Sequence, residues 1–422
     1  MIIERPLYLS KLIAGMGSSQ VKVVTGIRRC GKSFLLSDLF KPYLLAHGVP
    51  EGNVFQMAFD KYANKRYRDP EVFYPHVTQW LGATRGGGMR YVMLDEVQLL
   101  GDFSDILIDL MSMGDVDVYV TESNSKTLSS DIATNFRDRG QPLHVWPLSF
   151  AEWLPASGLT DKQEALRRYM TWGGMPVVAL TDDEEEKADY LKRLFKEVYL
   201  KDIRERHAVR DDLALENLID VLASDIGSLT NPHKIGDTMN SLWKRRPSDN
   251  TLKNYIEYLE DAFLFGEARR FEVKGRRYLD SPVKYYATDL GLRNARLNFR
   301  DTDLSHPMEN LIYNDLLRRG YNVDVGVVPI SSRDRNGKQS IRQHEIDFIV
   351  NRGNDKIYIQ SALRLDSRQK EEQETKSLRH TGDFFKKIVI TDGYGEPLYD
   401  ADGILRVGII PFLLNETFLE RL

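Results

Sequence analysis

A glycine-rich segment near the amino terminus has the residue types that bind phosphate. Residues 26–33 read Gly-Ile-Arg-Arg-Cys-Gly-Lys-Ser, which matches the pattern G-x-x-x-x-G-K-[ST]. An apolar run precedes this segment and a helical pattern follows it, which is the context that gives the pattern its meaning. The glycines permit a loop whose N–H groups turn inward around phosphate oxygens, and the following helix adds its positive end. We predict a nucleoside triphosphate site formed by Gly26, Arg28, Arg29, Cys30, Gly31, Lys32, Ser33 and Phe34.

Three charged groups and a hydroxyl are expected to act on the nucleotide and its metal ion. Lys32 would reach the β- and γ-phosphates, and Ser33 would offer its hydroxyl to the Mg²⁺ that bridges them. A second apolar run, residues 91–94, ends in Asp95 and Glu96, as expected for a central parallel strand. Asp95 would join Ser33 in holding Mg²⁺, and Glu96 would polarise the attacking water. The pattern therefore predicts hydrolysis of ATP with Mg²⁺; a solvated acidic turn is the alternative for the carboxylate pair.

Several strings along the chain resemble a known family. They are VVTGIRRCGKSFLL, YVMLDEVQLL, TESNSKTLSSDIATNFRDRG, PLSFAEW, TWGGMP and YLKDIRER. Along nearly its whole length the chain resembles a family of prokaryotic AAA-type ATPases that carry a C-terminal restriction-endonuclease-like domain. The family pattern usually has glycine where this chain has Glu122 and Asp138. A carboxylate at Glu122 would repel the nucleotide if it pointed inward, which would slow catalysis more than it weakens binding.

Further site residues are expected after the strand at residues 116–121. In ATPases of this type a polar residue at this strand end lies between the acidic strand and the γ-phosphate, which makes Asn124 the candidate sensor. Arg137 and Arg139 precede the next strand, and one of them would stabilise charge on the transferring phosphoryl group. The arginine would act in cis or from a neighbouring subunit of a homo-oligomer. A solvated basic loop is the alternative.

Composition sets the class of protein. The chain has 422 residues, of which 42% are hydrophobic, enough for two or three domains with separate cores. No apolar stretch approaches the roughly 20 residues that span a bilayer, and the amino terminus lacks a secretory pattern. We therefore expect a cytoplasmic protein without a membrane partner. Since the net charge is -4, binding of nucleic acid would depend on local basic patches.

Cys30 is the only cysteine, so the chain has no intrachain disulfide. Two hypotheses apply to its thiol. Its position beside Arg29 and a helix start would lower the thiol pKa and make the group reactive. The alternative is an inert side chain at a variable loop position.

The expected fold class is α/β, with a P-loop NTPase parallel sheet first. A helical and winged-helix region and a restriction-endonuclease-like α/β domain follow it. The predicted domains are residues 1–150 (AAA-type ATPase), 151–300 (helical linker and winged helix) and 301–422 (nuclease-like). Ser149 and Glu152 are spaced as a capping box that opens the first helix of the second domain.

A winged helix is predicted from three helices and a hairpin. The helices cover residues 215–226, 233–243 and 252–264, and the hairpin strands cover residues 268–273 and 276–279. The third helix would read a DNA major groove, and the hairpin would contact phosphates. The predicted DNA contacts are Lys253, Asn254, Lys274, Arg276 and Arg277. The alternative is a winged helix used only for packing between domains.

The last domain carries acids in a nuclease-like order. Glu309 lies on a predicted helix, and Asp347 lies on a predicted strand with Glu345. The resemblance implies an E-x-K on the next strand, but this chain has Gln360-Ser361-Ala362. Glutamine weakens a Mg²⁺ site and alanine cannot activate water. We expect a degenerate site at Glu309, Asp347 and Gln360 without nuclease activity, unless Lys370 or Lys386 supplies the missing lysine.

These observations lead to two hypotheses about function. The first is an ATPase whose nucleotide state repositions the winged-helix and nuclease-like domains on DNA. The second is a nucleotide-gated scaffold that binds proteins and touches no DNA. A continuous basic path that joins the arginines of the predicted hairpin to the face bearing Asp347 favours DNA, whereas an acidic or apolar face favours a protein partner.

Overall fold

The computed structural model describes residues 2–84, 88–123, 139–300, 303–333 and 339–421. The chain divides into two compact units. Unit 1 comprises Met1–Pro147 with Asp261–Phe263, and unit 2 comprises Leu148–Glu260 with Leu264–Leu422. Within the described ranges, no helix is long and apolar enough to cross a membrane.

Unit 1 is built on a parallel sheet, which confirms the predicted α/β class for this part. Its strands are β1 (Val21–Thr25), β2 (Val54–Ala58), β3 (Arg90–Asp95), β4 (Val116–Thr121) and β5 (Gly140–His144). They lie in the order β2-β3-β4-β1-β5, and all neighbours pair in parallel. Residues that follow β1, β3 and β4 therefore meet at one edge of the sheet, where such folds bind ligands.

Helices pack against this sheet and bury its apolar strands. The helical segments are Pro6–Ala14, Lys32–Phe34, Leu35–Phe40, Lys41–Ala46, Glu51–Asn53, Tyr62–Arg68, Pro70–Ala83, Val97–Leu99 and Phe103–Ser112. Val92 and Val118 of the sheet share a core with Phe73 and Leu107 of two helices, and all four side chains are fully or almost fully buried. This burial of continuous apolar strands is typical of a parallel sheet.

Unit 2 contains helices along its whole length. They are Phe150–Ser157, Lys162–Trp172, Pro176–Ala179, Glu184–Arg193, Leu194–Leu200, Lys201–His207, Asp212–Ser224, Pro232–Trp243, Asp249–Asp261, Leu290–Arg296, Ser305–Arg318, Arg368–Arg379, Ile409–Leu414 and Phe418–Arg421. The predicted capping box is confirmed at the first of them. Ser149 Oγ accepts from Glu152 N at 3.2 Å, and Ser149 N donates to Glu152 Oε2 at 2.9 Å. Two otherwise unsatisfied N–H groups are thereby paired.

An eight-stranded mixed sheet completes unit 2. Its strands are β6 (Phe265–Glu272), β7 (Arg277–Ala287), β8 (Asn322–Arg333), β9 (Gln339–Arg352), β10 (Asp355–Ala362), β11 (Lys386–Thr391), β12 (Leu398–Tyr399) and β13 (Leu405–Gly408). The order is β12-β13-β11-β10-β9-β8-β6-β7. The predicted hairpin is present as antiparallel β6 and β7, but β6 also pairs in parallel with β8. The hairpin is thus part of a sheet whose strands come from both sides of residue 301.

Candidate functional site

The phosphate-binding loop, residues 26–33, follows β1 directly and depends on its two glycines. Gly26 has φ of +142°, and a Cβ there would lie 2.2 Å from the carbonyl oxygen of Val145. Gly31 has φ of +102°. Only glycine adopts such conformations without strain. The sequence pattern therefore coincides with a backbone that other residues could not form.

Lys32 points into this loop. Its side chain is buried, and Nζ donates to the carbonyl oxygens of Gly26 at 2.8 Å and Ile27 at 3.2 Å. These are the residues whose backbone would surround a phosphate. The Lys32 ammonium group therefore lies next to the expected position of the nucleotide phosphates.

Ser33 and Asp95 meet at the expected magnesium position. Ser33 Oγ donates to Asp95 Oδ1 at 2.8 Å, and Thr121 Oγ1 donates to the same carboxylate oxygen. Burial raises the pKa of Asp95; the hydrogen bonds from Thr121 and Ser33 oppose this, and the nearby carboxylates of Glu96 and Asp60 add to it. A cation beside Asp95 would reverse that rise, because it stabilises the ionised carboxylate.

A cavity of about 530 Å³ opens beside this pair. Asp38, Asp60 and Lys61 line it together with Ser33 and Asp95. Three carboxylates and one ammonium give the wall a net negative charge. Hydroxyl and carboxylate oxygens in such a wall are the ligands that a partly hydrated Mg²⁺ takes, so the residues fit this ion.

Glu96 is held in place by three hydrogen bonds. Ser123 Oγ donates to Oε1 at 2.6 Å, and Gln98 Nε2 donates to Oε2 at 2.6 Å. The Glu96 N–H donates to Thr121 Oγ1 at 2.9 Å, and the residue has φ of +53°. Thr121 thus links both acids of the pair. Sequence reasoning missed these supporting residues; the only local signal was a polar Thr at the end of a buried strand.

The remaining residues predicted for this site range from exposed to fully buried, and some are not described. Arg28 and Phe34 are partly buried and Arg29 is exposed, with φ of +69°. Glu122 is fully buried directly after β4, and its N–H donates to the Val24 carbonyl at 2.9 Å. Asn124, Arg137 and Asp138 lie outside the described residues.

The hypothesis of a reactive Cys30 is wrong. The side chain is fully buried, and Sγ lies 3.3 Å from the Val145 carbonyl oxygen. Burial raises the pKa of the thiol, and the opposing charges of Lys32 and Arg5 do not outweigh it. Cys30 is therefore a packed neutral thiol in the loop.

The prediction that Arg139 acts on the nucleotide of its own chain is also wrong. Its carbonyl oxygen accepts from Val21 N at 2.9 Å, which places it at the beginning of β1. The phosphate-binding loop follows the opposite end of β1, roughly 16 Å away for a five-residue strand. A side chain that precedes a parallel strand lies at the wrong edge of the sheet. Action of Arg139 on a neighbouring subunit stays a prediction.

We expect protonation of His144, at the end of β5, to destabilise the folded chain in acid. Burial and the charge of Lys32 lower its pKa from 6.5 to about 4, and Nδ1 lies 3.2 Å from Thr25 Oγ1. Between these pH values the unfolded chain binds a proton that the folded chain does not, so stability falls as pH falls. We expect His144→Gln to remove a loss on the order of 3 kcal/mol between pH 7 and pH 4. Urea titrations at several pH values check this, and parallel curves for both proteins would contradict it.

A second cluster of charged side chains lies in unit 2. Lys284 of β7 is buried, and its Nζ is 2.8 Å from Glu309 Oε1, 2.7 Å from Glu345 Oε1 and 4.0 Å from Asp347 Oδ1. Burial lowers the pKa of Lys284, but the attraction of the three carboxylates outweighs it, so the net pKa is raised. Burial and the Glu309 carboxylate raise the pKa of Asp347 well above its usual value, against the opposing charge of Lys284.

The structure brings Glu309 and Asp347 together around Lys284, a lysine that was not predicted. Gln360 donates from Nε2 to Glu374 Oε2 at 3.3 Å, and the adjacent Ser361 donates from N to Asp347 Oδ2 at 2.8 Å. Of the lysines proposed as substitutes, Lys370 pairs with Glu374 at 2.6 Å and Lys386 is exposed. In the described part of the chain, no group of three or more His, Cys, Asp or Glu side chains is arranged to hold a metal. Lys284 was overlooked; its signal was a lone lysine in the apolar run Val283–Ala287.

The predicted DNA contacts fall on two elements. Lys253 and Asn254 are exposed on the helix Asp249–Asp261. Lys274, Arg276 and Arg277 are exposed at or beside the β6–β7 turn. Arg277 Nε pairs with Glu272 Oε2 at 2.8 Å, so its charge is partly compensated.

Two family models and several known proteins are similar to this chain. Residues 18–154 match the family described as "AAA domain", and residues 163–303 match a domain of unknown function (DUF8612). An uncharacterized protein of Methanocaldococcus jannaschii is 25% identical, covering 93% of this chain and 87% of the relative. The structure of the Aeropyrum pernix ORC1 protein in complex with DNA covers 71% of this chain and 93% of that chain. It shares 14% identity, with a TM-score of 0.30.

An uncharacterized protein of Haemophilus influenzae is 31% identical over 419 residues, which cover 98% of this chain and 99% of the relative. This similarity extends through both units. The chain therefore belongs to the same family as that protein, and within it residues 18–154 match the AAA domain family.

Proposed function

We propose that this chain is a Mg²⁺-dependent ATPase whose nucleotide state controls unit 2, and that unit 2 acts on DNA. The observation that carries the ATPase part is the hydrogen-bonded series Ser33–Asp95–Thr121–Glu96 at the loop. The proposal is also supported by Lys32, whose buried ammonium bonds to the carbonyls of the neighbouring loop. A phosphoryl-transfer site needs a phosphate-binding loop and acidic residues beside it, and this chain has both in residues 26–33 and in the pair Asp95 and Glu96.

The residues of the loop bind and orient the nucleotide. Lys32 Nζ exchanges its bonds to the Gly26 and Ile27 carbonyls for bonds to β- and γ-phosphate oxygens. Ser33 Oγ and Asp95 would hold the metal ion. Bound Mg²⁺ would supply charge neutralisation between the β- and γ-phosphates.

Glu96 acts on the attacking water. Donors from Ser123 and Gln98 fix both of its oxygens, so the carboxylate is oriented before a substrate arrives. An oriented carboxylate accepts a hydrogen bond from water and polarises it toward the γ-phosphate. An arginine from a neighbouring subunit, Arg137 or Arg139, would complete the site in a homo-oligomer.

The DNA part rests on unit 2. Three helices followed by the β6–β7 hairpin have the element order of a winged helix, with exposed Lys253 and Asn254 on the third helix. Exposed Lys274 and Arg276 at the hairpin turn would contact phosphates. Because the net charge of the chain is negative, the proposal of DNA binding rests on these exposed basic side chains.

We assign no nuclease reaction to the carboxylate cluster. Glu309, Asp347 and Gln360 would form a restriction-endonuclease-like site whose cation place is taken by the Lys284 ammonium. An ammonium bonded to two carboxylates reduces the negative charge that a Mg²⁺ ion would need. Metal-dependent cleavage of DNA that Asp347→Ala abolishes would overturn this assignment.

Steady-state ATP hydrolysis with and without DNA tests the proposal. We expect duplex or single-stranded DNA to raise the rate of the wild-type chain, and Glu96→Gln to remove the DNA-dependent rate. A substitution of the exposed Glu51 to Gln is the matched control and should leave the rate unchanged. A basal rate that no nucleic acid changes would overturn the DNA part and support the protein-binding scaffold.

A further inference from the structure

An open cavity in unit 2 combines positive charge with aromatic rings. Its volume is about 600 Å³, within the range of ligand-binding pockets. It lies beside the β6–β7 turn and the segment before β11. The residues that matter for recognition are Phe271, Lys274, Arg276, Lys356, Asp383 and Phe385.

The three cations of this cavity are free of carboxylate partners among the described residues. Arg276 and Lys274 are exposed, and Lys274 Nζ donates only to the Pro329 carbonyl at 3.2 Å. Lys356 Nζ lies 5.0 Å from the ring centre of Phe385 and 5.7 Å from that of Phe271. Rings hold the Lys356 ammonium without neutralising it. The cavity therefore carries three positive charges against the single carboxylate of Asp383.

The rim exposes aromatic side chains to solvent. Phe384 is fully exposed and Phe385 is 42% exposed. Tyr278 of β7 is 48% exposed beside Phe271, with ring centres 5.2 Å apart. Exposed large apolar groups that cluster beside a cavity mark a binding surface, since single scattered ones would need no explanation. The exposed aromatic rings therefore lie beside the positively charged side chains of the cavity.

Asp383 adds an oriented acceptor. Its Oδ2 accepts from Tyr358 OH at 2.6 Å. Its Oδ1 is buried and has no hydrogen-bond partner within the described ranges. A buried acceptor without a donor is costly, and a ligand N–H group would satisfy it. The amino and imino groups of nucleobases are donors of this kind.

We propose that this cavity binds single-stranded nucleic acid. Phe384 and Phe385 stack unpaired bases, Lys274, Arg276 and Lys356 contact backbone phosphates, and Asp383 Oδ1 accepts from a base. Stacking on side chains needs the free face of a base, which a duplex hides, so the surface selects single strands. An acidic peptide would match the cations but would leave both the flat rings and the carboxylate acceptor unused. The inference rests on the nucleic-acid part of the proposed function and adds its strand type and contacts.

Fluorescence anisotropy with the full chain and no nucleotide present tests this surface. The probes are labelled oligothymidylate, labelled oligouridylate of the same length, and a labelled duplex. We expect both single strands to bind more tightly than the duplex. The comparison of oligothymidylate with oligouridylate distinguishes a DNA ligand from an RNA ligand. Phe384→Ala should weaken binding by about tenfold, because one stacked base contributes roughly 1–3 kcal/mol. Lys356→Ala should weaken it and reduce the salt slope by about 0.7.

Matched controls remove the same groups elsewhere in unit 2. Lys201→Ala removes an exposed lysine, and Leu242→Ala removes a large apolar side chain that is 62% exposed. Neither should change binding. Wild-type affinity in both Phe384→Ala and Lys356→Ala would overturn the proposal, as would duplex bound as tightly as single strands.

The same proteins separate failure of this inference from failure of the proposed function. Lys32→Ala should lose ATP hydrolysis but keep wild-type affinity for the single strand. If single strands bind through Phe384 and no nucleic acid changes hydrolysis, coupling fails and the cavity assignment stands. If duplex alone binds and raises hydrolysis, the cavity assignment fails and the DNA-coupled ATPase stands.

Discussion

Lys32→Ala is expected to lower kcat/KM for ATP by about a hundredfold or more, which corresponds to roughly 2.7 kcal/mol of transition-state stabilisation. The Lys32 ammonium lies inside the loop, bonded to the carbonyls of Gly26 and Ile27. A phosphate in the loop would take those bonds, and charge grows on its oxygens as the γ-phosphoryl group transfers. Phosphate release at saturating Mg²⁺ measures the effect.

The control for this substitution is a lysine on the same helical stretch. Lys41 is partly exposed and its Nζ is 3.5 Å from Glu51 Oε1. Lys41→Ala should retain wild-type kcat/KM. Lys32→Met preserves buried volume and separates loss of charge from loss of packing. Equal activity in the wild type and Lys32→Met would contradict the assignment of the loop.

The second large effect is expected in unit 2. Lys284→Met should lower the free energy of unfolding by about 3–5 kcal/mol, because it leaves several carboxylates buried without a cation. Glu309 and Asp347 are each less than 10% exposed, so water cannot replace the ammonium. Urea titrations followed by amide hydrogen exchange in β7 and β9 measure the loss of unfolding free energy at the strands that carry Lys284 and Asp347.

Two further proteins sharpen this prediction. Lys370→Met breaks the partly exposed pair with Glu374 and should cost less than about 1 kcal/mol. Adding Glu309→Gln to Lys284→Met removes one uncompensated charge and should recover part of the loss. A Lys284→Met protein as stable as Lys370→Met would show that the cluster does not need its cation.

Features set by local sequence were predicted well. The loop at residues 26–33 and the capping box at Ser149 each depend on a few consecutive residues. Parallel strands were predicted from apolar runs, since burial on both faces leaves no polar alternation. These signals operate over one turn or one strand, so a single sequence contains them in full.

Features that depend on distant pairing were missed or misplaced. Lys284 meets Glu309 and Glu345 only because β7, the helix Ser305–Arg318 and β9 converge in space. Nothing in the spacing of those residues predicts that meeting. For Arg139, the error was one of direction, because the residue precedes a strand and therefore lies at the edge opposite the loop. The direction of a strand decides at which edge of the sheet a flanking residue lies.

The most direct test of the account is phosphate release by the full chain and by Glu96→Gln, each with Mg²⁺ and with EDTA. We expect turnover only in the wild type with Mg²⁺, while Glu96→Gln still binds ATP with Mg²⁺. Turnover in Glu96→Gln equal to that of the wild type, or turnover unaffected by EDTA, would contradict the account.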